Sequence, residues 1–197
     1  GIGDWELEEL LGMGGFGEVW KARNPHLGEA VALKFCLDAG AARVLRNEAA
    51  LLGRVMQQGR HPGIVRLRHT YLNADTPCLE YEYVGGGDLS GLIRQWHRCP
   101  SATLADQAAR LLHRLADIVA FAHRLDPPIV HRDLKPANVL LQPTAKGTVT
   151  LRVADFGIGG VAARQAFGQA SLPPSALLLT QAVRGAHTPL YASPQQV

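Results

Sequence analysis

The sequence predicts an α+β fold, and two observations predict it. Up to residue 84 the chain reads as strand-sized apolar runs with a single helical stretch among them; beyond Gly85-Gly86-Gly87, helix-length apolar periodicity takes over. A length of 197 residues suits one domain or two small lobes around a shared cleft.

Trp5 to Leu11 is a strand, followed by the glycine-rich Gly12-Met13-Gly14-Gly15-Phe16-Gly17 and by Glu18-Val19-Trp20-Lys21-Ala22-Arg23. Asn24-Pro25 through Gly28-Glu29 is a turn cluster. Ala30 to Leu37, rich in branched and aromatic residues, reads as a buried strand. Gly40 to Gln58 is helical, because Val44, Leu45, Glu48, Leu51, Leu52 and Val55 recur at steps of three and four. Ile64 to Leu72 and Cys78 to Val84 are two further strands. Thr103 is expected to cap a long helix in a capping box with Asp106, and Leu104, Ala108, Leu111, Leu112, Leu115, Ile118, Val119 and Ala122 mark its apolar face. After Pro127-Pro128 come short strands at Val139 to Gln142 and Thr148 to Ala154. The stretch from Ile158 to Val183 has no clean period and reads as a long loop.

Composition narrows the function classes. The chain is 47% hydrophobic and 19% charged, which is ordinary for a globular protein and wrong for a disordered one. A formal net charge of +3 without clustered basic residues gives no footprint for nucleic acid; His97-Arg98-Cys99 and the scattered arginines read as solvated surface. Cys36, Cys78 and Cys99 lie far apart without a CxxC pair, which fits reduced thiols in the cytoplasm and neither a disulfide framework nor a zinc site. The eight histidines form no HExxH or other close ligand pair. The longest apolar stretch, Leu111 to Leu125, is interrupted by His113, Arg114, Asp117, His123 and Arg124, so no membrane contact is expected from this segment. No signal peptide is expected within this segment, and the chain starts at Gly1 without an initiator Met, as expected of a fragment from a longer protein.

Four motifs carry chemistry. Gly12, Gly14 and Gly17 form GxGxxG, with Val19 two residues on. That spacing also fits a dinucleotide-binding turn, with Asp38 at about the distance of its ribose acid, but such a turn opens a helix. Here Asn24-Pro25 and Gly28 break the segment, and Val19-Trp20 suits a strand, so a strand–turn–strand hairpin is favoured, with backbone N–H groups over phosphates. GxxxxGK[ST] is absent, which excludes a P-loop. In Val31-Ala32-Leu33-Lys34 a lysine sits within an apolar strand, a costly place without a neutralising partner. Asp38 and Glu48 are the only acids between Lys34 and Gly59; Glu48 lies within the helix and is the expected partner. The third motif is His131-Arg132-Asp133-Leu134-Lys135-Pro136-Ala137-Asn138-Val139-Leu140, and the fourth is Asp155-Phe156-Gly157 after an apolar strand.

With GxGxxGxV, VALK, HRDLKPAN and DFG in order, the chain resembles the protein kinases, specifically the eukaryotic-like Ser/Thr kinases of bacterial type. The resemblance implies a bilobal fold. Residues 1–84 would form a small, mainly antiparallel N-lobe with one helix, and residues 85–197 a mainly helical C-lobe truncated before its later helices. It implies ATP and Mg²⁺ as cofactors and a protein substrate. Lys34 would hold the α- and β-phosphates and be held by Glu48. Asp155 and Asn138 would ligate Mg²⁺, Asp133 would take or orient the proton of the attacking hydroxyl, and Lys135 would contact the γ-phosphate, as in the Ser/Thr type. His131 and Phe156 would pack. Tyr81 to Leu89 resembles the hinge: backbone groups of Glu82 and Val84 would bond the adenine edge, with Tyr81 as a gatekeeper leaving little room behind it. Asp88 would either reach the ribose or cap the next helix. Leu11 and the glycines Gly12, Gly14 and Gly17 would border the nucleotide, and Val19, Ala32 and Leu140 would sandwich the purine.

The chain departs from the family at Ser193-Pro194-Gln195, where Ala-Pro-Glu or Ser-Pro-Glu is usual; glutamine keeps a hydrogen bond but not the ion pair. That departure alone speaks for a second reading, a non-catalytic kinase-like scaffold domain. A small-molecule phosphotransferase is disfavoured by the intact glycine loop, HRDLKPAN and Thr188-Pro189-Leu190-Tyr191. Arg132 before Asp133 implies control by a phosphate on the activation loop. Among Ser171, Ser175, Thr180 and Thr188, the resemblance points to Thr180 as phosphosite and gives Thr188 a structural role beside the substrate.

Overall fold

The computed structural model describes residues 4–14, 17–36, 39–126, 128–156 and 189–191. The chain separates into two compact units, one of Gly1–Gln57 with Val65–Tyr83 and one of Gln58–Ile64 with Val84–Val197.

The first unit is built on a five-stranded sheet. Its strands are β1 (Glu6–Gly14), β2 (Gly17–Arg23), β3 (Ala30–Phe35), β4 (Leu67–Tyr71) and β5 (Cys78–Glu82), in the spatial order β1-β2-β3-β5-β4. Every neighbouring pair is antiparallel. The β2–β3 turn is made by Asn24, whose side-chain oxygen accepts from the N–H groups of His26 and Leu27, both at 2.9 Å. Gly28 follows at φ 67°. Alternation along β3 separates two faces. Val31 and Leu33 join Ala22 in a core cluster backed by Trp5 and Phe35, while Ala32 and Lys34 point to the other side. In the antiparallel register Ala32 stands opposite Tyr81 and Lys34 opposite Leu79, so Lys34 and Tyr81 share that second face as diagonal neighbours. The helix α1 (Ala39–Gln58) supplies Leu45, Ala49, Leu52 and Val55 as buried apolar residues at helical spacing.

Two strand expectations are shortened. Ile64 to Leu72 holds only β4 from Leu67, because Ile64 forms a parallel bridge to Val153 and belongs to the second unit. The strand from Cys78 ends at Glu82 rather than Val84.

The second unit contains α2 (Leu89–Arg98), α3 (Leu104–His123) and the antiparallel hairpin β6 (Val139–Pro143) and β7 (Val149–Val153). Segment 58–64 is fastened to it. The Gln58 side chain donates to the Asp126 carbonyl at 2.7 Å and accepts from its N–H at 2.9 Å, and the Gly63 carbonyl accepts from Val153 N at 2.7 Å. A Cβ at Gly63 would collide with the Ile118 side chain, so glycine lets this segment lie close on α3. The capping box expected at Thr103 does not form. Thr103 makes no side-chain cap bond, and its hydroxyl accepts instead from the Gln107 side chain at 3.0 Å. Ser101 organises the entry: its hydroxyl accepts from Thr103 N at 3.2 Å and its carbonyl from Leu104 N at 3.0 Å. The buried stripe of α3 runs through Leu104, Ala108, Leu111, Leu115, Ile118 and Ala122, each at least half-buried. Leu112, expected on that face, is 61% exposed, because it lies one position off the stripe. Among the described residues no helix is long and apolar enough to cross a membrane.

Candidate active site

In the first unit the glycine-rich segment joins two strands and opens no helix: β1 ends at Gly14, β2 begins at Gly17, and the two residues are partners in the ladder. That geometry removes the dinucleotide-turn reading. Gly17 has φ 125°, and a Cβ there would overlap the Phe35 carbonyl of β3, so only glycine permits this close approach. Gly12 pairs with Val19, and Val19 with Lys34, which places the glycine hairpin and the lysine strand side by side. Leu11 is 42% exposed, and Val19 and Ala32 are half-buried.

Lys34 is buried, and its ammonium donates to both oxygens of Glu48, at 3.1 Å to Oε1 and 2.9 Å to Oε2. Glu48 is only 1% exposed. A carboxylate this deep demands neutralisation, and a two-oxygen contact with a buried ammonium supplies it. The elements that set this distance are β3 and α1: the lysine faces the side of the sheet away from Ala22, Val31 and Leu33, and Glu48 shares α1 with the buried residues Leu45 and Leu52. A third member, whose hydroxyl sequence reasoning missed, is Tyr81. That hydroxyl donates to Glu48 Oε1 at 2.5 Å. The signal lay in the β3–β5 register, which no motif encodes.

Glu82 ends β5. Its N–H donates to the Arg66 carbonyl at 2.9 Å and its side chain accepts from Arg66 N at 3.1 Å.

In the second unit, Val84 is buried and Asp88 caps α2: its Oδ1 accepts from Gly91 N at 2.8 Å. Asp88 also bridges in β fashion to Leu140, which is half-buried on β6. The segment from His131 to Asn138 closes into a 3-10 turn at Pro136–Asn138, with Pro136 at its start. Three side chains meet there. The Asn138 amide nitrogen donates to the Asp133 carbonyl at 2.8 Å and lies 3.4 Å from Asp133 Oδ2. Lys135 Nζ lies 2.8 Å from the same Oδ2. Arg132, immediately before Asp133, has φ 67°, and Asp155 has φ 58°. Two non-glycine residues in left-handed backbone beside polar side chains are the kind of held strain that marks working sites.

His131 is the structural link between these segments. Its Nε2 lies 2.8 Å from the Ala154 carbonyl, and its ring packs against Phe156 at 4.8 Å between centroids. Burial, the largest influence, pushes the imidazole below its ordinary pKa of 6.5. A neutral ring donating from Nε2 leaves Nδ1 unprotonated, and among the described residues that buried atom has no hydrogen-bond partner. Ala154 N in turn donates to the Asn138 carbonyl at 2.9 Å, which ties the start of the Asp155 segment to the Asn138 turn.

The donor set suits a hard cation. With its amide nitrogen committed to Asp133, Asn138 keeps Oδ1 for a ligand role, and Asp155 offers a carboxylate. Among the described residues no group of three or more His, Cys, Asp or Glu is placed to cage a metal. Mg²⁺ does not need one, since it takes one or two protein oxygens and completes its shell with water and substrate phosphates. Gly157, Thr180, Thr188 and Gln195 lie outside the described residues.

The family model described as protein kinase domain matches residues 5–196. The serine/threonine-protein kinase pkn2 of Myxococcus xanthus is 34% identical over an alignment of 199 residues, covering 98% of this chain and 21% of that protein. The CBL-interacting serine/threonine-protein kinase 18 of Arabidopsis thaliana is 36% identical over 166 residues, covering 82% of this chain and 29% of its own length. The inhibitor of nuclear factor kappa-B kinase subunit beta of Mus musculus is 34% identical over 162 residues, 79% of this chain and 21% of that protein. The chain thus spans well under a third of the length of these relatives.

Proposed function

Because this chain belongs to the protein kinase domain family, we propose that it is the catalytic part of an ATP-dependent protein serine/threonine kinase, moving the γ-phosphate of ATP to hydroxyls of protein substrates. The observation that carries this reading is the Asp133 constellation. One carboxylate, a cation 2.8 Å away on Lys135 and the amide of Asn138 are gathered within six residues of chain.

Phosphoryl transfer asks the protein for positioning and charge neutralisation more than for covalent chemistry. Asp133 Oδ2 accepts the proton of the incoming serine or threonine hydroxyl, or orients that hydroxyl for in-line attack. Lys135 places a positive charge beside the same oxygen, where it meets the negative charge of the transferring phosphoryl group. Lys34, fixed by Glu48, holds the α- and β-phosphates. Asn138 and Asp155 would hold Mg²⁺, which when bound neutralises the phosphate oxygens. The Glu82 N–H is committed to the Arg66 carbonyl, so an adenine contact from Glu82 uses its carbonyl, with Val84 offering the next backbone group. In this reading Leu11, Gly12, Gly14, Gly17, Val19 and Ala32 are the first unit's contacts to the nucleotide, and the second unit's are Leu140 and Asp88, whose Oδ1 already caps α2.

The test is phosphoamino-acid analysis after incubating the full-length protein with Mg-ATP and a generic basic protein. Phosphoserine and phosphothreonine are the expected products. Phosphotyrosine as the dominant product would remove the Ser/Thr assignment, and no transfer at all would favour the scaffold reading.

A further inference from the structure

The Glu48 carboxylate is held from two sides, and only one of them is the lysine. Oε2 receives Lys34 at 2.9 Å; Oε1 receives Lys34 at 3.1 Å and the Tyr81 hydroxyl at 2.5 Å. Tyr81 is 8% exposed and its ring is fixed by β5, whose register with β3 sets it diagonally across from Lys34 on one face of the sheet. We propose that Tyr81 is a positioning residue, whose hydroxyl clamps Glu48 in the orientation that receives Lys34.

A buried carboxylate is costly to leave short of donors, and the Tyr81 hydroxyl adds a donor at Oε1 beside the two contacts from Lys34. It also removes a rotational choice: a carboxylate pinned at Oε1 by a group on a rigid strand cannot swing away with its helix at no cost. This deepens the kinase reading and rests on it.

Steady-state kinetics on the full-length protein, with Mg-ATP and a generic basic protein, compares wild type, Tyr81→Phe, Glu48→Asp and the double variant. Phenylalanine keeps the ring and deletes the donor. Loss of one hydrogen bond to a charged group predicts that Tyr81→Phe lowers kcat/KM for ATP by roughly tenfold, with KM for the protein substrate unchanged. In the Glu48→Asp background, where the shortened carboxylate has already left the clamp, the same change costs less than about threefold. Equal losses in both backgrounds, or wild-type kcat/KM in Tyr81→Phe, would overturn the proposal. A second readout is independent of catalysis. With tyrosines labelled at Cζ, the resonance that disappears in Tyr81→Phe must shift when Glu48→Gln is introduced. A stationary resonance overturns the contact even if the wild type proves inactive, whereas an inactive wild type with a shifting resonance removes the kinase reading and not the clamp.

Discussion

Asn138 and Asp133 are bound to each other twice over: the Asn138 amide nitrogen donates to the Asp133 carbonyl at 2.8 Å and approaches its carboxylate Oδ2 at 3.4 Å. The amide thereby fixes both the backbone that carries the proposed proton acceptor and the direction of its own oxygen. Asn138→Ala removes the amide donor and a proposed Mg²⁺ ligand together. Phosphate transfer is expected to fall by roughly 100-fold, with a higher Mg²⁺ concentration needed for half-maximal rate. A magnesium titration of the variant measures both, and an unchanged Mg²⁺ requirement would remove Asn138 from the metal site.

Lys34 and Glu48 separate stability from catalysis. Lys34→Met leaves the buried Glu48 carboxylate without its ammonium and is expected to destabilise by about 3 kcal/mol. Adding Glu48→Gln removes the uncompensated charge, so the double variant should regain most of that stability while phosphate transfer stays lost. Thermal melts and kinase assays on the same preparations check this. Recovery of activity together with stability would show that the pair serves the fold alone.

What could be read from the sequence, and what could not, follows from how local each signal is. Lys34 and Glu48 were legible because a lysine within an apolar strand demands a carboxylate, and the helix offered one. Asp133, Lys135 and Asn138 were legible because they lie within one short motif, and the structure joins them through side-chain contacts. The Tyr81 hydroxyl was not legible as a donor to Glu48, because that contact depends on the pairing of β5 with β3. Nor was the place of segment 58–64 with the second unit, which follows from Gly63 lying against Ile118. At Thr103 the capping pattern was present, but the Thr103 N–H donates to the Ser101 hydroxyl and the Thr103 hydroxyl accepts from Gln107, so the expected cap bond does not form.

His131 gives the stability an acid limb. Its folded-state pKa lies below 6.5, so the unfolded chain takes up its proton first as pH falls. Its contribution is therefore fully present above 6.5 and is lost as pH drops from 6.5 through the lower folded-state value. His61, also lowered by burial, acts in the same direction. Each such group changes stability by at most about 1.4 kcal/mol per pH unit. Melting curves across this range should show a fall toward acid that His131→Phe flattens, even though that variant starts lower for want of the Ala154 bond. An identical acid limb in the variant would contradict the assignment.

Control through Thr180 is the proposal that follows from Arg132, which precedes Asp133 in left-handed backbone. A phosphate on Thr180 would supply a negative charge with which this arginine can pair. Mass spectrometry of the active full-length protein is expected to find Thr180 modified, and Thr180→Ala to lower activity. An unmodified Thr180 together with a fully active alanine variant would show that the loop is not switched this way.

On the proposed function, Asp133 serves phosphate transfer from ATP to protein hydroxyls. Its most direct measurement is transfer of γ-labelled phosphate to a generic basic protein by full-length wild type and Asp133→Asn, both with Mg²⁺. Asparagine preserves the size of the side chain and removes the negative charge beside Lys135. Steady incorporation by the wild type is expected, with a loss on the order of 10²–10⁴-fold in Asp133→Asn and its melting transition retained. Undiminished transfer by Asp133→Asn would take this role from Asp133.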